Sequence, residues 1–388
     1  MTLRLSIFYA AVFLFIGVLL PFWPVWLKSR GMEAAEIGLL LSLGMWVRAV
    51  SAPLVAQAAD RSGARRGFMV VLGWATLGAY ALFATASGFW GLAAVGILAA
   101  LCFSPMLPLA DTITMHKVGE TGLDYGRVRL WGSLSFIVAA TGGGMVLAGR
   151  PDSLILWLIL GTLAVMALVT HAMPEARPKA PAADTAAEAA GEAIKRRVPI
   201  FEVLADRQYL AFLAAASLIQ ASHAVYYGFA TLHWRAGGLA DWVIGALWAE
   251  GVIAEVALFA VSGRAVAKFG PLGLLGLAAV AGIVRWSVLG FGMSLTTLVM
   301  VQWLHAFTFG ATHLAMMHFI AHRVRPEHAA TAQSLYSSTA MGIVMGIAMT
   351  AAGWLYARHG GNAFFAMIAL SAAGGLIALG LARAAGKR

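Results

Sequence analysis

Twelve predominantly apolar runs, each about twenty residues or longer, alternate with short segments rich in Gly, Pro and charge. They cover about 4–27, 35–58, 67–87, 89–116, 126–149, 152–173, 208–234, 241–262, 271–292, 295–320, 331–357 and 362–382. A helix needs roughly 20 mostly apolar residues to cross the hydrocarbon of a bilayer. The pattern therefore predicts an all-α membrane protein with twelve transmembrane helices. The first run is too long for the core of a secretory signal and is followed by no credible cleavage site, so it is expected to be a retained span.

One long polar interruption occurs, PEARPKAPAADTAAEAAGEAIKRRVP at 174–199. Its prolines, alanines and mixed charges cannot build a core, which makes it a linker. The expected division is an N-terminal six-helix bundle over 1–173, a cytoplasmic linker over 174–207 and a C-terminal six-helix bundle over 208–388. A repeat supports two pseudo-symmetric bundles. Ala56-x-x-x-Asp60-Arg61-x-Gly63 recurs as Gly263-x-x-x-Ala267-Lys268-x-Gly270, offset by 207 residues. The same offset maps Arg48 onto Glu255, two ionisable residues inside apolar runs. Repeat-related charges at membrane depth mark a solute pathway along the repeat interface.

Composition agrees with the membrane reading: 61% of the residues are apolar and 11% charged. The net charge of +10 would suggest nucleic acid for a soluble chain, but Lys and Arg also collect in cytoplasmic loops. Placing both termini inside puts 20 of the 27 basic residues on that side and five outside. The expected location is the inner (cytoplasmic) membrane, with both termini cytoplasmic and no nucleic-acid partner. The single cysteine, Cys102, excludes an intramolecular disulfide. No GxxxxGK[ST] phosphate loop is present, so driving energy is expected from an ion gradient. Neither a nucleophile–base pair nor a metal or cofactor motif emerges, and an enzyme is not expected.

Charges within the spans carry the chemistry, because each is costly unless paired or facing water. Residues equidistant from a hairpin turn lie at similar depth. That symmetry sets Asp111 level with Arg129, Glu255 level with Arg285 about the Gly270-Pro271 turn, and Arg285 level with His305. Glu250 competes with Glu255, but five residues separate them, about 140° around a helix, so both cannot face one cavity. Glu255 is preferred because Arg48 is its repeat counterpart. A carboxylate, an arginine and a histidine at one depth suit proton coupling, since burial and a neighbouring cation push a carboxyl group's proton affinity in opposite directions. The alternative is a static ion-pair network. His223 and Trp248 are further candidates for lining a cavity.

The loop Asp60-Arg61-Ser62-Gly63-Ala64-Arg65-Arg66, with twelve spans and a central linker, resembles the major facilitator superfamily over essentially the whole chain. That resemblance implies a cytoplasmic gate at Asp60, Arg61, Gly63 and Arg65. Two departures, Ala56 for the first glycine and an extra Ala64, imply looser gate contacts. Tyr125-Gly126-Arg127-Val128-Arg129-Leu130-Trp131-Gly132-Ser133 resembles the segment opening span 5 in the proton symporters around lactose permease and the 3-phenylpropionate transporter. There the second arginine contacts substrate and an acidic partner lies 18 residues upstream, the spacing of Asp111 and Arg129. Leu304-His305-Ala306-Phe307 resembles the coupling segment of span 10, with Glu255 and Arg285 as its acidic and basic partners. Thr308 stands where that family has a carboxylate, which moves the proton site to Glu255, Asp111 or His305. Ser222-His223-x-x-Tyr226-Tyr227, Leu247-Trp248 and Ala254-Glu255 look closer to the 3-phenylpropionate branch.

The resemblance implies a proton-coupled symporter, active as a monomer, that imports a small aromatic acid by alternating access. Arg129, Asp111, Arg48, His223, Tyr227 and Trp248 are the expected substrate contacts. Glu255, Arg285, His305 and Asp111 are the expected proton-coupling groups. A proton-coupled sugar or nucleoside symporter and an efflux antiporter are the alternatives.

Overall fold

The computed structural model describes residues 1–175, 200–292, 294–325 and 328–385, without the side chains at 60, 200 and 385. The expected linker therefore lies largely outside the described residues. No strand occurs among them; the chain is helical, as a lipid environment requires of backbone groups that cannot bond to water. In the first part, α1 spans Thr2–Ser29, α2 Ala34–Ser62, α3 Arg65–Leu82, α4 Gly88–Phe103, α5 Met106–Thr121, α6 Tyr125–Leu147 and α7 Leu154–Thr170. After the linker come α8 (Ile200–Ala205), α9 (Arg207–Ala221), α10 (Ala224–Ala236), α11 (Asp241–Ala260), α12 (Ser262–Phe291) and α13 (Leu295–Gln302). A π-helical turn, Ala306–Ala311, leads into α14 (Thr312–Arg323). Then α15 (Ala329–Ser338) passes through a second π turn, Thr339–Val344, into α16 (Met345–His359), and α17 spans Ala363–Ala385.

Among the described residues, eight helical stretches are long and apolar enough to cross a membrane. They do not coincide with the twelve expected runs. The expected span over 295–320 is broken near Trp303 and by the first π turn, α3 opens on Arg65 and Arg66, and α7 has 17 residues. The last two expected runs fall inside one continuous stretch, Ala329–Ala384. Sequence breakers account for the other interruptions. Gly63 takes φ +66° and stops α2, while its repeat counterpart Gly270 takes φ +62° and kinks α12 before Pro271. Both positions use the left-handed region open to glycine.

α1 packs along α6 and α7, α2 along α16, α6 along α11, and α12 along α17. Two of these seams leave no room for side chains. A Cβ on Gly245 of α11 would overlap the Ala140 carbonyl of α6, and Gly38 of α2 lies against the backbone of Gly353 on α16. Where α6 and α11 meet, Arg235 donates to Asp152 (2.7 Å) and in a fork to Asp241 (2.5 and 2.8 Å). That cluster ties the 148–153 turn to the start of α11. Along α2 the close seam reaches Ala49, which Gly342 touches, and beyond it Val50 and Leu54 are exposed.

Candidate functional site

Between α1, α6, α10, α11 and the first π turn lies a cavity of about 190 Å³. Phe13, Ile16 and Leu20 of α1 line one side, with Arg129, Ser133 and Phe136 of α6. Tyr226, Tyr227, Trp248, Val252, Glu255, His305 and Phe309 line the other. Aromatic groups dominate that second wall: Trp248 packs at 4.6 Å from Tyr226 and stacks 6.2 Å from Tyr227. Its indole N–H is satisfied by Thr231 at 3.0 Å. Among the described residues that line it, Arg129 supplies the one guanidinium and Glu255 the one carboxyl group.

Behind the wall, α12 delivers Arg285, fully buried, into a polar cluster. Its Nη1 donates to His305 Nδ1 (2.9 Å) and Thr308 Oγ1 (3.2 Å), and its Nη2 to Gln302 Oε1 (2.7 Å). The guanidinium also lies 4.4 Å over the Tyr226 ring and 5.0 Å from that of Trp286. No carboxylate reaches it among the described residues; oriented dipoles and ring faces hold the charge instead. His305 and Thr308, three positions apart and so on one helix face, address one guanidinium nitrogen together.

Hydrogen-bond logic assigns the histidine tautomers. A guanidinium only donates, so His305 Nδ1 accepts and the ring hydrogen sits on Nε2. That nitrogen faces Glu255 Oε2 at 3.9 Å, too long for a hydrogen bond and short enough for a small rotation or one water to close. His223 Nδ1 donates to the Gln220 carbonyl at 3.0 Å, so its Nε2 accepts from the Thr308 hydroxyl, also at 3.0 Å. One hydrogen-bonded chain thus runs from His305 through Arg285 and Thr308 to His223, with Glu255 3.9 Å from its His305 end.

The expected residues divide. Arg129, Tyr227, Trp248, Glu255 and His305 share the cavity, and Arg285 joins them through His305. Glu250 is outside the lining and interacts with the Trp303 indole. His223 is sealed off, fully buried behind Thr308 and stacked on Tyr227, because its two nitrogens are both consumed by protein partners. Asp111 does not pair directly with Arg129. Its Oδ1 accepts from Tyr125 at 3.1 Å and, in a short bond, from Tyr9. Arg48 stands exposed on α2, outside the cavity, and makes no hydrogen bond or ion pair among the described residues. Of the gate residues, Gly63 caps α2, Arg61 is exposed, Arg65 is buried at the start of α3, and the Asp60 side chain lies outside the described residues. Sequence reasoning missed Tyr9, Phe13, Gln302 and the bridging part of Thr308.

A larger groove, about 390 Å³, lies between α8, the start of α9 and the end of α14. It carries charges of both signs at the surface, Glu202, Asp206, Arg323 and Arg325, and shares no residue with the polar chain.

The model of the MFS_1 like family matches residues 2–367. The chain is 35% identical to the probable 3-phenylpropionic acid transporter of Escherichia coli K12, over 94% of this chain and 93% of that one. It is 26% identical to the maltose permease of Geobacillus stearothermophilus, over 91% and 87%. In fold it resembles the crystal structure of the nucleoside transporter NupG, with a TM-score of 0.79, 16% identity and 98% of each chain covered. The chain belongs to the MFS_1 like family and is a multi-pass membrane transporter of small molecules, not an enzyme.

Proposed function

We propose that this chain is a proton-coupled symporter that imports a small aromatic carboxylic acid, of the 3-phenylpropionate type, by alternating access. The observation that carries the proposal is the cavity itself: an aromatic wall opposite one cation, Arg129, that has no ion-pair partner among the described residues. Its volume sits below the range of roughly 300–1,000 Å³ typical of ligand sites. It suits one ring and a short acid better than a disaccharide or a nucleoside. The ring packs on Tyr226, Tyr227 and Trp248, and the carboxylate takes the fork of Arg129. The name of the 35% identical relative points the same way.

Charge balance supplies the coupling. The two cations Arg129 and Arg285 are already balanced by Glu255 and Asp111, so a substrate carboxylate adds one uncompensated charge and is carried together with a proton on Glu255. His305, with its N–H toward Glu255, relays or orients that proton, and the buried Arg285 fixes the His305 tautomer. Asp111 serves as a second acidic group at the Arg129 layer. Arg48 completes the repeat-related pair with Glu255 when the halves rearrange.

In this reading twelve spans form two six-helix bundles, 1–173 and 208–388, joined by the 174–207 linker. They rock about the cavity in the inner membrane, as a monomer, with both termini in the cytoplasm. The α6–α11 and α2–α16 seams close the outer side, and Asp60, Arg61, Gly63 and Arg65 belong to the inner gate. Competition for labelled 3-phenylpropionate uptake into proteoliposomes tests the substrate class. Inhibition by arylalkanoic acids, but not by maltose or uridine, is expected. Transport of either of those in place of the acid would refute the assignment.

A further inference from the structure

The Arg129 guanidinium is held in an unusual way for a cation at membrane depth. Among the described residues it has no carboxylate within ion-pair distance and makes no hydrogen bond. Its Cζ lies 4.0 Å over the ring of Phe13 and 5.7 Å from the ring of Tyr9. Gly132, three residues along α6 and on the same face, makes that contact possible. A Cβ there would stand 2.8 Å from Phe13 Cδ2 and 2.9 Å from Arg129 Nη1, inside both groups. The glycine opens the space in which ring and guanidinium meet, and close packing of α1 on α6 at Gly17, against the Phe136 carbonyl, holds the two helices at that separation.

We infer that Phe13 and Gly132 are the positioning residues of the substrate-anion site, a ring-faced cradle that keeps Arg129 charged, oriented and unpaired until a carboxylate arrives. The chemistry favours a ring over an acid for this task. A π face attracts a cation through its quadrupole and consumes none of the five N–H donors. An acidic partner would occupy two donors and compete with the ligand. Held over the ring of Phe13, the guanidinium keeps its N–H donors free for the fork that a planar carboxylate accepts. Selectivity for an anion over a neutral isostere then depends on a residue with no polar atom. This inference rests on the reading of Arg129 as the carboxylate contact.

The test compares 3-phenylpropionate with its uncharged amide, 3-phenylpropanamide, by calorimetric titration of the purified full chain in detergent. Phe13→Leu and Gly132→Ala should weaken binding of the acid about tenfold, and that of the amide, which keeps its ring contacts on the opposite wall, by about twofold or less. Phe13→Tyr and Phe13→Trp, which keep a ring face, should recover the acid affinity, and melting temperatures establish that each variant is folded. Equal losses for acid and amide, no loss with Phe13→Leu, or no recovery by either ring variant would overturn the cradle. Arg129→Gln separates the underlying reading. If it binds the acid as the wild type does, Arg129 is not the carboxylate contact and both claims fall. If it loses the acid while Phe13→Leu and Gly132→Ala keep it, only the cradle falls. Absence of acid binding to the wild type would overturn both.

Discussion

Thr308→Val isolates the hub of the buried polar chain. Valine keeps the branched shape but removes the hydroxyl that accepts from Arg285 at 3.2 Å and donates to His223 at 3.0 Å. One guanidinium N–H and one imidazole lone pair are then left buried without partners. Each such group costs about 1–3 kcal/mol, with the charged donor toward the upper end, so the sum is about 3 kcal/mol. That corresponds to about two powers of ten in the folding equilibrium. Unfolding in mixed detergent–SDS micelles should show the loss, and Thr308→Ser, which keeps both bonds, should stay within about 1 kcal/mol of wild type. Adding His223→Phe to Thr308→Val removes the orphaned imidazole and should return about 1 kcal/mol. A Thr308→Val protein as stable as wild type, or a serine variant no better than valine, would refute the hydrogen-bond assignment and the tautomers drawn from it.

Three other outcomes follow from the same geometry. Arg129→Lys keeps the charge but loses the planar fork, so affinity for an aromatic acid should drop about tenfold; unchanged affinity would remove the bidentate contact. Arg235→Gln breaks the bonds joining Asp152 to Asp241. Spin labels at positions 150 and 240 in a Cys102→Ala background should then show a longer and broader separation, and an unaltered distribution would mean that the cluster does not hold that end closed. His305→Asn keeps an acceptor at the Nδ1 position for Arg285 but removes the N–H nearest Glu255, so uphill accumulation should fall more than substrate exchange. Equal losses in both assays would assign His305 to structure alone.

The apolar runs made the helical membrane class legible, because hydrophobicity over about twenty residues is a property of the solvent as well as of the chain. Depth was legible too. Hairpin symmetry set Glu255, Arg285 and His305 level, and in the structure His305 stands between the other two. Azimuth was harder to read. The 207-residue offset pairs Arg48 with Glu255 in position but says nothing of where each side chain turns, and only Glu255 lines the cavity. Partners across the fold were not legible. Tyr9 reaches Asp111 from 102 positions away, and in a chain with 11% aromatic residues nothing marks Phe13 as the ring beneath a cation. Thr308 stood out only as a missing carboxylate, whereas its hydroxyl has a bonding function of its own. Interruptions such as the π turn at Ala306–Ala311 leave no signature in hydrophobic periodicity, and they account for the mismatch over 295–320.

The most direct test of the account follows protons and solute together. When 3-phenylpropionate is added to proteoliposomes, the external medium should become alkaline as protons enter with the acid. Glu255→Gln should abolish that signal and uphill accumulation while sparing exchange of internal for external substrate. Alkalinisation that persists in Glu255→Gln, or acid uptake by the wild type with no proton movement, would contradict the proposed coupling at Glu255.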